Sequence, residues 1–223
     1  MQRAKSWLGN WSLLCHSLKM ALSTISPGVE KVDGRRQRSQ RTRLTIIQAY
    51  LELLRRHGVM PTAAQIADEA GYSTRSIFER FTDLDALSLA TADYAIVQGQ
   101  AEAVAHDVDG DRPTRIRSHV ETRALACEKW LPLWRIITRQ DQLDELKMRV
   151  VLVRLANIER MKLMYAPELS SLPEPPRAEL LIAMAALTSF ESWDQMRYCH
   201  GLSVEVAQDI WRFAIDRMLP VAG

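Results

Sequence analysis

The stretch from Thr62 to Phe81, TAAQIADEAGYSTRSIFERF, constrains this chain more than any other. Thr62 and Gln65 stand three apart, the spacing of a capping box. In it the threonine hydroxyl accepts from the amide of residue 65, and the glutamine side chain returns the bond. A short helix follows, with Ile66, Ala67 and Ala70 facing inward. Gly71 ends it, because glycine tolerates the left-handed backbone that follows a helix. Ser73 then caps a second short helix over 74–81, with Ile77, Phe78 and Phe81 on its apolar side. Two capped helices joined by Ala-Gly-Tyr-Ser make the helix-turn-helix pattern.

Helical periodicity recurs on both sides of this motif. Leu44, Ile47, Tyr50, Leu51 and Leu54 form one stripe on a helix expected over 39–57, stopped by Gly58. Asp83 caps a fourth helix through Leu87, Tyr94 and Val97. Further helices are expected at about 113–129, 132–139, 141–165, 177–200 and 203–219. An acidic loop over 107–112 and a loop with Pro167, Pro173, Pro175 and Pro176 separate them, since helix interiors reject proline. No β-branched alternation is bounded by Asn-Gly or Asp-Gly turns. The expected class is all-α: a three-helix helix-turn-helix domain over 39–99, then a larger helical domain over 100–220.

Residues 1–36 read as a poorly ordered extension. Arg3 and Lys5 ahead of Trp7, Leu8, Leu13 and Leu14 imitate a signal peptide. Asn10, Ser12, His16, Ser17 and Lys19 interrupt that apolar run, so secretion is not expected, and Met20 is an alternative start.

Net charge is only +2, but it is unevenly spread. Nine arginines face five carboxylates between Arg35 and Asp83, a net of +4, while residues 84–223 carry −4. A basic block ahead of an acidic remainder suits a polyanion-binding module on a carrier domain. A solvated arginine face would give the same charges.

A helix-turn-helix lays its second helix in the major groove of DNA, N-terminal end first. Here that end is Ser73, Thr74, Arg75 and Ser76, and Arg75 has the fork that pairs with guanine O6 and N7. From Arg41 to Leu87 the sequence resembles the TetR family of bacterial regulators. The resemblance runs through Arg43-Leu44-x-Ile46-Ile47-x-Ala49, Gly58, Thr62-x-x-x-Ile66-Ala67-x-x-Ala70-Gly71-Tyr72-Ser73, Ile77-Phe78-x-x-Phe81 and Asp85-Ala86-Leu87. A weaker match continues at 189–193 and 201–203. It implies a cytoplasmic homodimer that binds double-stranded DNA through Arg41, Arg43, Thr62, Ser73, Thr74, Arg75, Ser76, Phe78 and Arg80. It also implies repression relieved by a small-molecule effector, with no cofactor. The family usually has tyrosine where this chain has Phe78, and lysine where it has Leu84. Both departures remove phosphate contacts, and a helical interaction protein that has lost sequence-specific DNA binding is the alternative.

Residues 100–220 would then bind the effector and dimerise. Tyr94, Trp130, Trp134 and Met148 are the candidate pocket, although such residues at helical spacing also build ordinary core. Ala183, Leu187, Phe190, Trp193 and Phe213 are the candidate dimer interface, on two broad apolar stripes.

Catalysis is not expected. Asp107, Asp109 and Asp111 lack the glycine and glutamate positions of a calcium loop. Cys199 and His200 are adjacent, so their side chains diverge on a helix. Cys15, Cys127 and Cys199 have no metal-ligand spacing, and no His-x-x-x-His pair occurs. No run of about 18 apolar residues exists to span a membrane.

Overall fold

The computed structural model describes residues 34–139 and 144–221. The signal-like start, Met20, Cys15 and the extension up to residue 33 lie outside the described residues. Every described regular element is helical. The helices are α1 (Gly34–His57), α2 (Ala63–Ala70), α3 (Thr74–Phe78), α4 (Leu84–Glu102), α5 (Arg112–Ile137), α6 (Asp144–Met164), α7 (Ala166–Leu169), α8 (Pro176–Leu187), α9 (Phe190–Asp194) and α10 (Val204–Met218). A π-helical turn, Gln195–Cys199, precedes α10. The chain divides into two units, residues 1–42 and 43–223, and the division falls inside α1.

Four boundaries differ from the sequence reading, and Pro167, read as loop, sits in the first turn of α7, where proline's missing donor has no helical partner to lose. The first helix starts at Gly34 rather than at 39. Its opening turns, GRRQRSQRTR, hold no apolar residue, so periodicity could not register them. Side chains support them locally: Arg38 Nε donates to Gly34 O, and Thr42 Oγ1 to Arg38 O. The recognition-type helix ends at Phe78 instead of 81, and Arg80 N then donates only three residues back, to Ile77 O. Such tightening is a common helix ending. The two helices expected at 113–129 and 132–139 are one, α5, which runs through Pro132. Proline there removes one backbone donor and crowds the carbonyl four residues back, but packing on both sides holds the helix. Conversely, the helix expected over 177–200 breaks after Leu187. Thr188 bonds Met184 O through its hydroxyl, and Ser189 caps α9 by accepting from Ser192 N at 3.1 Å. Side-chain to backbone bonds of this kind compete with helix continuation.

Within the second unit, Ile46, Ile47, Tyr50, Leu53 and Leu54 of α1 are buried with Ile66, Ala67, Ile77, Phe81 and Leu87. Each large aliphatic or phenylalanine side chain among them contributes on the order of 1.5–3 kcal/mol by leaving water. The Tyr50 hydroxyl meets Ser88 Oγ at 2.9 Å, joining α1 to α4. In the larger helical part, α5 is central and packs on α4, α6, α9 and α10. Its buried face is Ile116, Val120, Ala124, Cys127 and Leu131, at steps of three and four. Trp193 and Trp211, both fully buried, meet at 4.7 Å between ring centroids. Trp193 Nε1 also donates to Glu128 Oε1 at 2.7 Å. Burial raises the Cys127 thiol to about 11, which leaves it unreactive. Among the described residues no helix is long and apolar enough to cross a membrane.

Candidate nucleic-acid interface and ligand cavity

The corner between α2 and α3 is fixed by short-range chemistry. Thr62 Oγ1 accepts from Gln65 N, and Gln65 Oε1 accepts from Thr62 N at 2.8 Å. Gly71 adopts φ +70°, and Tyr72 N donates back to Ala67 O at 2.9 Å, a Schellman-type closure. Ser73 Oγ accepts from Ser76 N at 3.1 Å to open α3. Behind the corner, Arg56 forks onto Glu69 at 2.8 and 3.0 Å and also bonds Glu52. That ties α1 to α2 across the surface.

This scaffold leaves the start of α3 outward. Ser73, Thr74 and Arg75 are exposed and Ser76 is half-buried. The Arg75 side chain is 88% exposed, held only by a 3.1 Å pair with Glu79 on its own helix. An exposed pair of that kind is worth little and yields readily to a phosphate or a guanine edge. Phe78 is 49% exposed on the same short helix, an apolar surface suited to a thymine methyl. Thr62 is exposed, with its hydroxyl engaged in the capping box.

Arg43 and Arg80 are placed differently. Arg43 Nη1 donates to Arg80 O at 2.9 Å, and its guanidinium lies 4.2 Å over the Phe81 ring. Arg43 therefore clamps the end of the motif to α1. Arg80 is half-buried, and its Nε is buried without a partner. Arg41 is exposed on the part of α1 that belongs to the first unit. Tyr72, exposed in the turn beside Ser73, was not singled out from sequence, although an aromatic hydroxyl next to α3 is a signal.

A cavity of about 270 Å³ lies among α4, α5 and α6. Ala92, Ala95, Ile96 and Gly99 of α4 form one wall. Trp130, Leu133, Trp134 and Ile137 of α5 form another, and Val153, Asn157 and Arg160 of α6 a third. Phe190 closes it, stacked on Trp134 at 4.5 Å. Of the four candidate pocket residues, Trp130 and Trp134 line this cavity. Tyr94 lines a separate groove with Thr45, Glu52 and Lys129. Met148 does neither: it is 44% exposed on α6. Arg123, Asn157 and Arg160 line the cavity and were missed. Each sits at helical spacing from apolar lining residues, which hid it.

The interface candidates also divide. Phe190 and Trp193 are buried inside the monomer, where Trp134 and Trp211 cover them. They are core, because α9 turns inward after the break at Thr188. Ala183 is exposed, Leu187 half-buried, and Phe213 65% exposed. Ile182, Val206 and Ile210 are exposed on the same two helices, α8 and α10. Among the described residues no cluster of histidine, cysteine or carboxylate side chains could hold a metal.

Among the described residues, a capped helix-turn-helix is followed by a larger helical part with its own cavity. No family model and no curated protein matches the sequence. Solved structures match the fold. A protein from Rhodococcus sp., described as a TetR-family transcriptional regulator, aligns with TM-score 0.62 at 17% identity, over 81% of this chain and 100% of that one. The multidrug binding protein EbrR, complexed with imidazole, gives 0.57 at 15%, over 88% and 98%. NalD, the secondary repressor of the MexAB-OprM multidrug efflux pump in Pseudomonas aeruginosa, gives 0.52 at 20%, over 82% and 98%. The fold is that of the TetR family of transcriptional regulators.

Proposed function

We propose that this chain is a DNA-binding transcriptional regulator whose affinity for DNA answers to a small molecule held in the α4–α6 cavity. One observation carries the reading: Arg75, Thr74 and Ser73 stand exposed at the start of α3, on a corner whose backbone is fixed by caps on both helices. Exposed polar side chains on a rigid frame are what direct readout of a groove needs. The exposed apolar residues of α8 and α10, with Phe213 foremost, support a homodimer, and a two-fold dimer would read two half-sites one helical turn apart. The solved neighbours include one named as a repressor and one as a multidrug binding protein, which supports repression relieved by a ligand. A cytoplasmic location accords with this role. Linkage then requires ligand and DNA to weaken each other by the same factor.

The test is binding of the full chain to DNA from upstream of its own gene, at two salt concentrations, beside Arg75→Ala. Steeply salt-sensitive binding, with base preference relaxed by Arg75→Ala, supports the reading, because counterion release governs phosphate contacts. Binding no tighter than to scrambled DNA, both there and in a genome-wide selection of fragments, overturns it. That result would favour an interaction protein, the reading to which the exposed Phe78 and the Leu84 substitution lend weight.

A further inference from the structure

The cavity is apolar over most of its wall, with four strongly polar side chains among its lining. Arg123, Arg149, Asn157 and Arg160 all line it, and no carboxylate does among the described residues. Arg149 is already paired: its guanidinium bonds Asp93 at 2.8 and 3.3 Å. Arg123 and Arg160 form no ion pair among the described residues. Arg123 Nε donates to Thr188 O at 2.8 Å, and its guanidinium lies 4.6 Å over the Phe190 ring. Arg160 has a buried Nη2 with no hydrogen-bond partner.

One more orphan shares the same walls: Trp130 Nε1 is a buried donor without a partner. Asn157 is committed elsewhere, its Nδ2 donating to Thr188 Oγ1 at 3.1 Å and its side chain bonding the His119 imidazole. Folded proteins rarely leave buried polar groups unpaired, since each costs about 1–3 kcal/mol. Two orphan donors on one cavity, one of them a guanidinium, describe the complement of an acceptor. The Arg160 guanidinium is also pushed below its ordinary value, first by burial and then by the charge of Arg123. Two like charges held close in a partly dry wall gain most from an anion.

We infer that the effector is a small organic acid: a flat apolar body lying among Trp130, Trp134, Leu133 and Phe190, with a carboxylate taken by Arg160. This rests on the reading of the cavity as the effector site. The volume, just under the roughly 300–1,000 Å³ of ligand sites, suits one or two fused rings. Organic cations are excluded by the same wall, which offers them no carboxylate among the described residues and two unpaired guanidiniums.

The experiment is calorimetric titration of the full chain with ring-matched probes. Benzene and naphthalene skeletons are each supplied as carboxylate, primary carboxamide and aminomethyl congeners. The carboxylates should bind about tenfold or more tighter than their amides, the range expected of a charge-assisted bond, and the amines should not bind. Arg160→Gln should bring the acid-to-amide ratio close to one while keeping amide affinity, and Arg160→Lys should restore the preference. Ala126→Phe, which fills the cavity, should abolish all binding with an unchanged helical spectrum. Amides or amines binding as tightly as acids, yet lost in Ala126→Phe, would overturn the acid and leave the cavity as the effector site. Absence of any binding, or binding unaffected by Ala126→Phe, would overturn both.

Discussion

Arg115 and Glu168, distant in sequence, meet in the interior, where the guanidinium forks onto the carboxylate at 2.9 and 2.6 Å. Both side chains are almost wholly buried. Arg115 spends its other donors on Gly110 O and Met164 O, so the pair pins α5, the acidic loop before it and α7 together. A buried pair adds little over an apolar one but is costly to break. Glu168→Gln should therefore destabilise the fold by about 3 kcal/mol or more, read by urea unfolding. Burial pushes the Glu168 carboxyl up, but its bonds to Arg115 outweigh that and hold it below its ordinary value. The stability it contributes is thus fully present above the ordinary glutamate range and is lost as pH falls through its lower folded value. The acid side of the stability curve should flatten in the glutamine variant.

His119 predicts a separate dependence at milder pH. Its ring is buried against Tyr165, with Nδ1 2.6 Å from the phenol oxygen. Burial first, then the charges of Arg160 and Arg123, lower it to about 3. The unfolded chain would carry a proton there below about pH 6.5, whereas the folded chain would not. Stability should fall by about 1.4 kcal/mol per pH unit as pH drops below 6.5, and the slope should vanish in His119→Gln. An unchanged slope in the variant between pH 6.5 and 5 would refute the assignment.

Gly71 carries a backbone prediction. At φ +70° nothing lies within 4 Å of the place a Cβ would take, so the cost of a side chain is conformational alone. Gly71→Ala should cost about 1–2 kcal/mol and weaken DNA binding, whereas Gly71→Asn should cost less. Thermal unfolding beside a DNA titration checks both.

Phe213 and Trp193 separate surface from core. Phe213→Glu should shift sedimentation toward the monomer without loss of helical signal. Trp193→Ala should instead lower stability by about 3–5 kcal/mol, because it empties the contact with Trp211. A Phe213→Glu protein that sediments as wild type at low micromolar concentration would remove this face from the interface.

What could be read from sequence was chemistry acting over three or four residues. Thr62 with Gln65, Ser73, Asp83 and Gly71 each set a helix end by local bonding, and their neighbours could not overrule them. Periodicity was a weaker guide. It identified apolar faces on the last helices but not what covers them, so Phe190 and Trp193 read like Phe213 although they point inward. Pro132 looked like a boundary because the packing that keeps α5 whole is tertiary. The polar lining of the cavity was hidden for the same reason. Arg123 and Arg160 lie on different helices, and only the packing of α5 on α6 gives them a common wall.

Helix α4 belongs to both halves of the molecule. Near its start Leu87 is buried with the helix-turn-helix core and Ser88 is bonded to Tyr50; further on, Ala92, Ala95 and Gly99 are cavity wall. Ser88 and Gly99 are separated by about 16 Å of continuous helix at 1.5 Å per residue. Such a rod couples the helix-turn-helix core mechanically to the cavity wall along its length. If the proposed function holds, a mutation at Ala92 or Ala95 that admits a new ligand is expected to change DNA affinity as well, measurable by titrating the variant with both. Under the proposed function, changes of effector are better tolerated on α6, because α5 also borders the helix-turn-helix part, with Lys129 and Trp130 in one groove with Thr45, Glu52 and Glu69.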